Sequence, residues 1–315
     1  ILPYIFIGGK IMAKRPVKIT DYKNDVFFKY MLSNDEDPQS VYMLKVIIEG
    51  VLHIKCKEVK VLNPNINPQN VSDKDMVLDV RVETGEKIDI EMQTSKFSTA
   101  NRNRFQSYGA ESIVSQTKSG DKFYGNIKKS FQIIFINDVD KNNLKLIDTY
   151  KSRNEEGKVE KCNLITRSYV QLPMIDIIVQ QKGIENLSEF ELVLYIFKNG
   201  MDDDIMKLTE HKVVKIMKDK MEKFNEDEEL RLAAFNRELN KIAHKSEIQE
   251  SFEEGKVIGV KEGKIEEKMK FIQARYGKVD IDWLETLNEK QLERINDIIF
   301  KESDYEKFKQ EIGRN

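Results

Sequence analysis

Between residues 77 and 93 the chain reads VLDVRVETGEKIDIEMQ, and its apolar positions alternate with polar ones twice over. Leu78, Val80 and Val82 share one face, as do Ile88, Ile90 and Met92. A period of two predicts a pair of half-buried strands, here joined by a turn about Gly85. That turn sets Glu83 opposite Lys87, Arg81 opposite Asp89 and Asp79 opposite Glu91. The first two pairs join opposite charges and read as a solvated ladder. The third opposes two carboxylates with β-carbons about 5 Å apart, where like charges destabilise a sheet.

The flanking pattern is helical before the hairpin and mixed after it. In TDYKNDVFFKYMLS (20–33), Val26, Phe27, Tyr30 and Met31 follow a capping signal at helical spacing. PQSVYMLKVIIEGVLHIK continues as a stronger helix, with Ser40 ahead of Tyr42, Leu44, Ile47, Ile48 and Leu52. KEVKVLN predicts a short strand, stopped by the two Asn-Pro steps of NPNINPQNVSD. Beyond the hairpin, Ser98 or Thr99 caps a helix reaching about Lys118, and SFQIIFIND (130–138) has the continuous apolar run of a strand buried on both faces. The order helix, strand, strand, strand, helix, strand predicts an α/β core over 18–141.

After Lys141 comes one more apolar segment, SYVQLPMIDIIV, and then long charged helical stretches. We expect a mostly helical extension over 142–250 and, over 251–315, a glycine-spaced helix followed by amphipathic helices that carry the single tryptophan, Trp283. Gly255, Gly259 and Gly263 fall four apart on one helical stripe, each costing about 1 kcal/mol relative to Ala. Two readings stay open: a weak, exposed connecting helix, or a close helix–helix contact. This half reads as a region for partners or a homodimer.

Composition narrows the field. The 315 residues suggest about two domains, and no apolar run approaches the roughly 20 residues of a membrane-spanning helix. Two cysteines and three histidines, all scattered, disfavour a zinc cluster or disulfide framework and make a reducing cytoplasm the default. A formal charge of -2 means that nucleic-acid binding must come from a local basic surface. Residues 1–17 read as a leader or disordered arm: the segment is apolar ahead of Met12, lacks the form of a secretory signal, and fits a start at Met12.

Two carboxylates forced together share a proton or recruit a cation. A divalent ion answers the pattern best, since Mg2+ takes hard oxygen ligands, commonly one or two carboxylates with waters and phosphate oxygens. Asp79 and Glu91 form half of such a cage. Gln93 points from the same face by strand alternation, and the Met92 carbonyl lies between.

These residues, with NDVFFKYML, NPNINPQNVSDKDMVLDV, KIDIEMQ, RFQSY, GDKFY and FQIIFIND, resemble the PD-(D/E)XK nuclease superfamily and, within it, the recombination-promoting nucleases or putative transposases. The resemblance implies a restriction-endonuclease-like core and Mg2+-dependent DNA cleavage, with Mn2+ as a substitute. It assigns Asp79 and Glu91 as metal ligands and catalytic acids, with Asp25 matching an acidic position of the first helix. It places Gln93 where the wider superfamily has lysine: an amide orients by hydrogen bonds but brings no charge. Arg104 and Tyr108 match the family's arginine and tyrosine on the next helix and imply phosphate contact, to which Arg102, Lys128 and Lys129 could add a basic rim. For Arg102 a solvated position, for the lysines an exposed charge pair, and for Asp25 a first-turn acid favoured by the helix dipole are the competing readings. Tyr124 reads as core. The expectation is a bacterial-type cytoplasmic DNA endonuclease. The alternatives are a catalytically silent DNA-binding or interaction module on the same fold, and a core serving as dimerisation platform for the helical half.

Overall fold

Asn24 starts the first helix by accepting hydrogen bonds from the Val26 and Phe27 amides at 3.1 Å each. The computed structural model describes residues 4–7, 10–13, 18–62, 80–83, 85–93, 97–117 and 124–313. Within the N-terminal segment, Tyr4–Ile7 (β1) and Lys10–Ala13 (β2) pair as an antiparallel ribbon. Helix α1 spans Asp25–Leu32 and α2 spans Pro38–Leu52. Asp37 caps α2, because Pro38 suits the first helical position and the Asp37 carboxylate takes the Gln39 amide at 2.9 Å. Ser40 donates to the Met31 carbonyl at 2.8 Å, tying α2 to α1.

A six-stranded mixed sheet follows: β3 (Lys60–Val61), β4 (Val80–Glu83), β5 (Lys87–Gln93), β6 (Ser130–Ile136), β7 (Ile147–Tyr150) and β8 (Ile165–Gln171). Its spatial order is β3-β4-β5-β6-β8-β7. Strands β5, β6 and β8 run parallel, while β3, β4 and β7 join antiparallel. Helix α3 (Thr99–Val114), capped by Ser98, makes the crossover from β5 to β6. The boundary expected at residue 141 falls inside this sheet, since β8 pairs along the whole of β6 and the apolar run of β6 needs a neighbour on that side.

One face of the sheet carries the main core. Val82, Ile88, Ile90, Ile133 and Phe135 meet α1 and α2 there, with α4 (Ile175–Lys182), α5 (Glu189–Asn199) and α6 (Lys212–Glu226) completing the layer. The other face is covered by α3, whose Phe105 packs on Ile134, Ile136 and Tyr169. Helix α7 (Glu228–Tyr276) begins in this unit, which ends at Leu239 rather than at 250.

The second unit, from Asn240 to Asn315, has its own core. Ile272 of α7 packs with Leu284 of α8 (Ile281–Thr286), Ile295 of α9 (Glu289–Ile298) and Phe308 of α10 (Tyr305–Gly313), and Trp283 lies against them. Gly255, Gly259 and Gly263 face open space in this chain, as an exposed connecting helix would have them. Among the described residues no helix is long and apolar enough to cross a membrane.

Candidate active site

The hairpin keeps the register read from its alternation. Glu83 faces Lys87, Arg81 faces Asp89 and Val80 faces Ile90, and Gly85 turns the chain at φ 95°, a conformation that costs a residue without a β-carbon little. Asp79, the first of the two opposed acids, lies outside the described residues, and of Gln93 only the strand position is described.

Alternation along β5 sends Ile88 and Ile90 into the main core and leaves Asp89 and Glu91 on the face under α3. Both acids are 9% exposed. Asp89 is therefore not part of a solvated ladder: α3 covers that face, and the next residues along its row are Gln132 of β6 and Arg167 of β8. Gln132 is itself buried, donating from Nε2 to the Phe105 carbonyl at 2.8 Å and accepting at Oε1 from Arg167 Nε at 3.1 Å. Gly109 lets α3 approach here, because a β-carbon would come within 2.9 Å of Gln132 Oε1. The glutamine thus pins α3 above the acids. Its signal in the sequence was a lone polar residue in an apolar strand, SFQIIFI.

From α3, Arg104 brings Nη2 to 3.9 Å from Glu91 Oε2. Its guanidinium also lies over the Phe105 and Tyr108 rings, at 5.0 and 5.9 Å from their centroids. With a side chain 42% exposed, Arg104 spans the buried acid and solvent. Tyr108 is half-buried against the cluster of Phe105 and Tyr169. The structure thus brings Glu91, Arg104 and Tyr108 together.

The other basic candidates are placed elsewhere. Arg102 donates to Asp140 at 2.7 Å and stacks 3.6 Å from the Phe97 ring centroid, so its charge is paired within the fold while its side chain stays 31% exposed. Lys128 is bound to Glu83, whose carboxyl is held below its usual range chiefly by that hydrogen bond. Lys129 is exposed, and its amide donates to Glu86 at 2.8 Å. Tyr124, read as core, is 69% exposed on a 3-10 turn. Asp25 is a first-turn acid that accepts from its neighbour Val26 N at 3.1 Å and from Arg237 Nε at 3.3 Å.

Glu91 offers the hard oxygen that a divalent ion requires, and Met92 on the same strand turns its side chain to the main core. Among the described residues no three His, Cys, Asp or Glu are grouped to hold an ion. The fit of a metal therefore turns on Asp79, next in sequence to the Val80 that faces Ile90.

A mixed sheet with a buried acid on a central strand, covered by a helix that presents an arginine, fits a nuclease-like α/β fold. The sequence model of the PD-(D/E)XK nuclease family transposases matches residues 22–251, and the chain belongs to that family. Searches of curated proteins and of solved structures return no match.

Proposed function

We propose that the chain is a divalent-metal-dependent DNA endonuclease, cytoplasmic and bacterial in type, that hydrolyses phosphodiester bonds in recombination, element mobility or defence. The observation that carries this reading is Glu91: a carboxylate 9% exposed on a central strand, with Arg104 at 3.9 Å and the rest of that face closed by α3. Asp79 and Glu91 would hold Mg2+ or Mn2+, with the Met92 carbonyl as a further ligand and Asp25 near them. When bound, the ion supplies a Lewis acid for the attacking water and for charge growing on the phosphate. Arg104 neutralises a phosphate oxygen and Tyr108 supports it. Gln93 orients water or phosphate by hydrogen bonding in place of the superfamily's lysine. DNA is the substrate, and a second copy of the chain is the partner of the helical C-terminal region.

A nicking assay over supercoiled, linear and single-stranded DNA, with and without Mg2+, tests the reading. Metal-dependent nicking that Glu91→Gln abolishes is expected. Salt-dependent DNA binding with no nicking would make the chain a silent binding module. Gln93→Lys is expected to preserve or raise cleavage, because the new ammonium reaches the same phosphate. Loss of cleavage in Gln93→Lys with metal affinity intact would mean that the amide itself positions the water.

A further inference from the structure

Every residue from 242 to 263 of α7 is exposed. Helices in proteins draw most of their stability from packing an apolar face, and this stretch carries three glycines that each cost about 1 kcal/mol. Such a helix calls for a partner. One stripe along it has the three-four spacing of a coiled-coil seam: Lys241, Lys245, Ile248, Phe252, Gly255, Gly259, Glu262 and Glu266. Ile248 and Phe252 at its centre are 56% and 65% exposed, and a β-carbon on Gly255 or Gly259 would meet nothing within 4 Å.

The order of chemistry along the stripe is basic, bulky, small, acidic. We infer that this face of α7 docks on the same face of a second copy, antiparallel, with Phe252 over the partner copy's glycine at 255 and Ile248 over its glycine at 259. The two-fold then sets Lys245 against the other copy's Glu262, and Lys241 against its Glu266. Large side chains fill the notches left by glycines, and four opposite-charge pairs close the two ends. A parallel pair would instead stack Phe252 on itself and set lysine on lysine and glutamate on glutamate, which costs free energy. The neighbouring stripe is no rival, since Ile242 and Val260 are separated along it by Ser246, Gln249 and Glu253. This inference rests on the self-association proposed above and adds its surface, direction and register.

Sedimentation equilibrium on the full chain is the test. The wild type is expected to dimerise. Phe252→Glu should raise the dissociation constant at least about tenfold, and Lys245→Glu about tenfold through two new like-charge contacts, with Glu262→Lys added to Lys245→Glu restoring it. All three positions are exposed, so unchanged circular dichroism is expected of each variant. In a Cys162→Ser background, mild oxidation should join chains that carry Lys245→Cys together with Glu262→Cys, but not chains with Lys245→Cys alone. A wild type monomeric at every concentration would overturn both the self-association and this surface. A dimer indifferent to Phe252→Glu and Lys245→Glu would overturn the surface alone. Cross-linking by Lys245→Cys alone would overturn the antiparallel register. None of these readouts depends on DNA cleavage.

Discussion

Arg102 and Arg104 stand two residues apart on α3 and serve different ends. Arg102 is spent within the fold, on Asp140 at 2.7 Å and on the Phe97 ring at 3.6 Å, whereas Arg104 reaches solvent beside Glu91. Arg104→Ala is therefore expected to weaken DNA binding and to lower the slope of log affinity against log salt by about one. Arg102→Ala should leave that slope unchanged and cost about 1–2 kcal/mol of stability, through a lost ion pair and cation–π stack. Filter binding across a salt series, with urea unfolding alongside, separates the two; an equal fall in slope for both would show that they share one phosphate surface. At this scale the hairpin register was legible, because charge pairs and alternation reinforce each other. The burial of Asp89 was not. Its cover, α3, reads TANRNRFQSYGAESIV and buries only Phe105 and Gly109, so periodicity gives no sign that a polar helix lies on a polar strand face.

At the scale of elements, α1, α2 and α6 are clasped by one buried cation. Lys220 of α6 is 4% exposed and bonds both to Asp37, the cap of α2, and to Ser40 Oγ at 2.8 Å, with its ammonium 5.2 Å from the Tyr30 ring centroid. Burial alone would raise the Asp37 pKa, but hydrogen bonds from Lys220, the Gln39 amide and Ser40 outweigh it and hold the carboxyl below its usual range. A lowered folded-state pKa contributes stability above the unfolded value, about 3.9, and that contribution is lost as pH falls through the folded value. Asp37→Asn keeps a good cap but leaves Lys220 without its counter-charge. It is expected to cost about 1–3 kcal/mol at neutral pH, the difference from wild type shrinking below about pH 4. Urea unfolding at pH 7 and pH 3 checks it, and a difference independent of pH would mean that the charge is not what the clasp uses. Helices α1 and α2 were legible from their apolar spacing and α6 only as part of a charged helical stretch, but this clasp joins residues 183 positions apart and has no local signature.

For the whole molecule, two separate cores predict two separable transitions. Ile295 is fully buried in the core of the second unit, and Trp283, the single tryptophan, packs on that same core. Ile295→Ala is expected to cost that unit about 2–5 kcal/mol, seen as an earlier tryptophan fluorescence transition, while the loss of sheet signal by circular dichroism keeps its midpoint. A common shift of both would show that the units unfold as one. The existence of a helical second part was legible from its charge and spacing. Its boundary was not, because α7 runs through both units without a break in pattern, and because β8 reads as apolar only from Ser168 onward while β7, IDTY, is a four-residue edge strand left partly exposed.

The central claim is that the Glu91 face of the sheet cuts DNA with the help of Asp79. Conversion of supercoiled DNA to the nicked form, in Mg2+ and in chelator, measures it most directly when wild type, Asp79→Asn and Glu91→Gln are compared at equal folded concentration. Wild type should nick only with metal, and neither variant should nick at all. Asp79→Asn should also remain as stable as wild type or slightly more so without metal, since the register proposed for the hairpin sets that charge against Glu91. Nicking by either variant at the wild-type rate, or none by the wild type in any metal, would contradict the account.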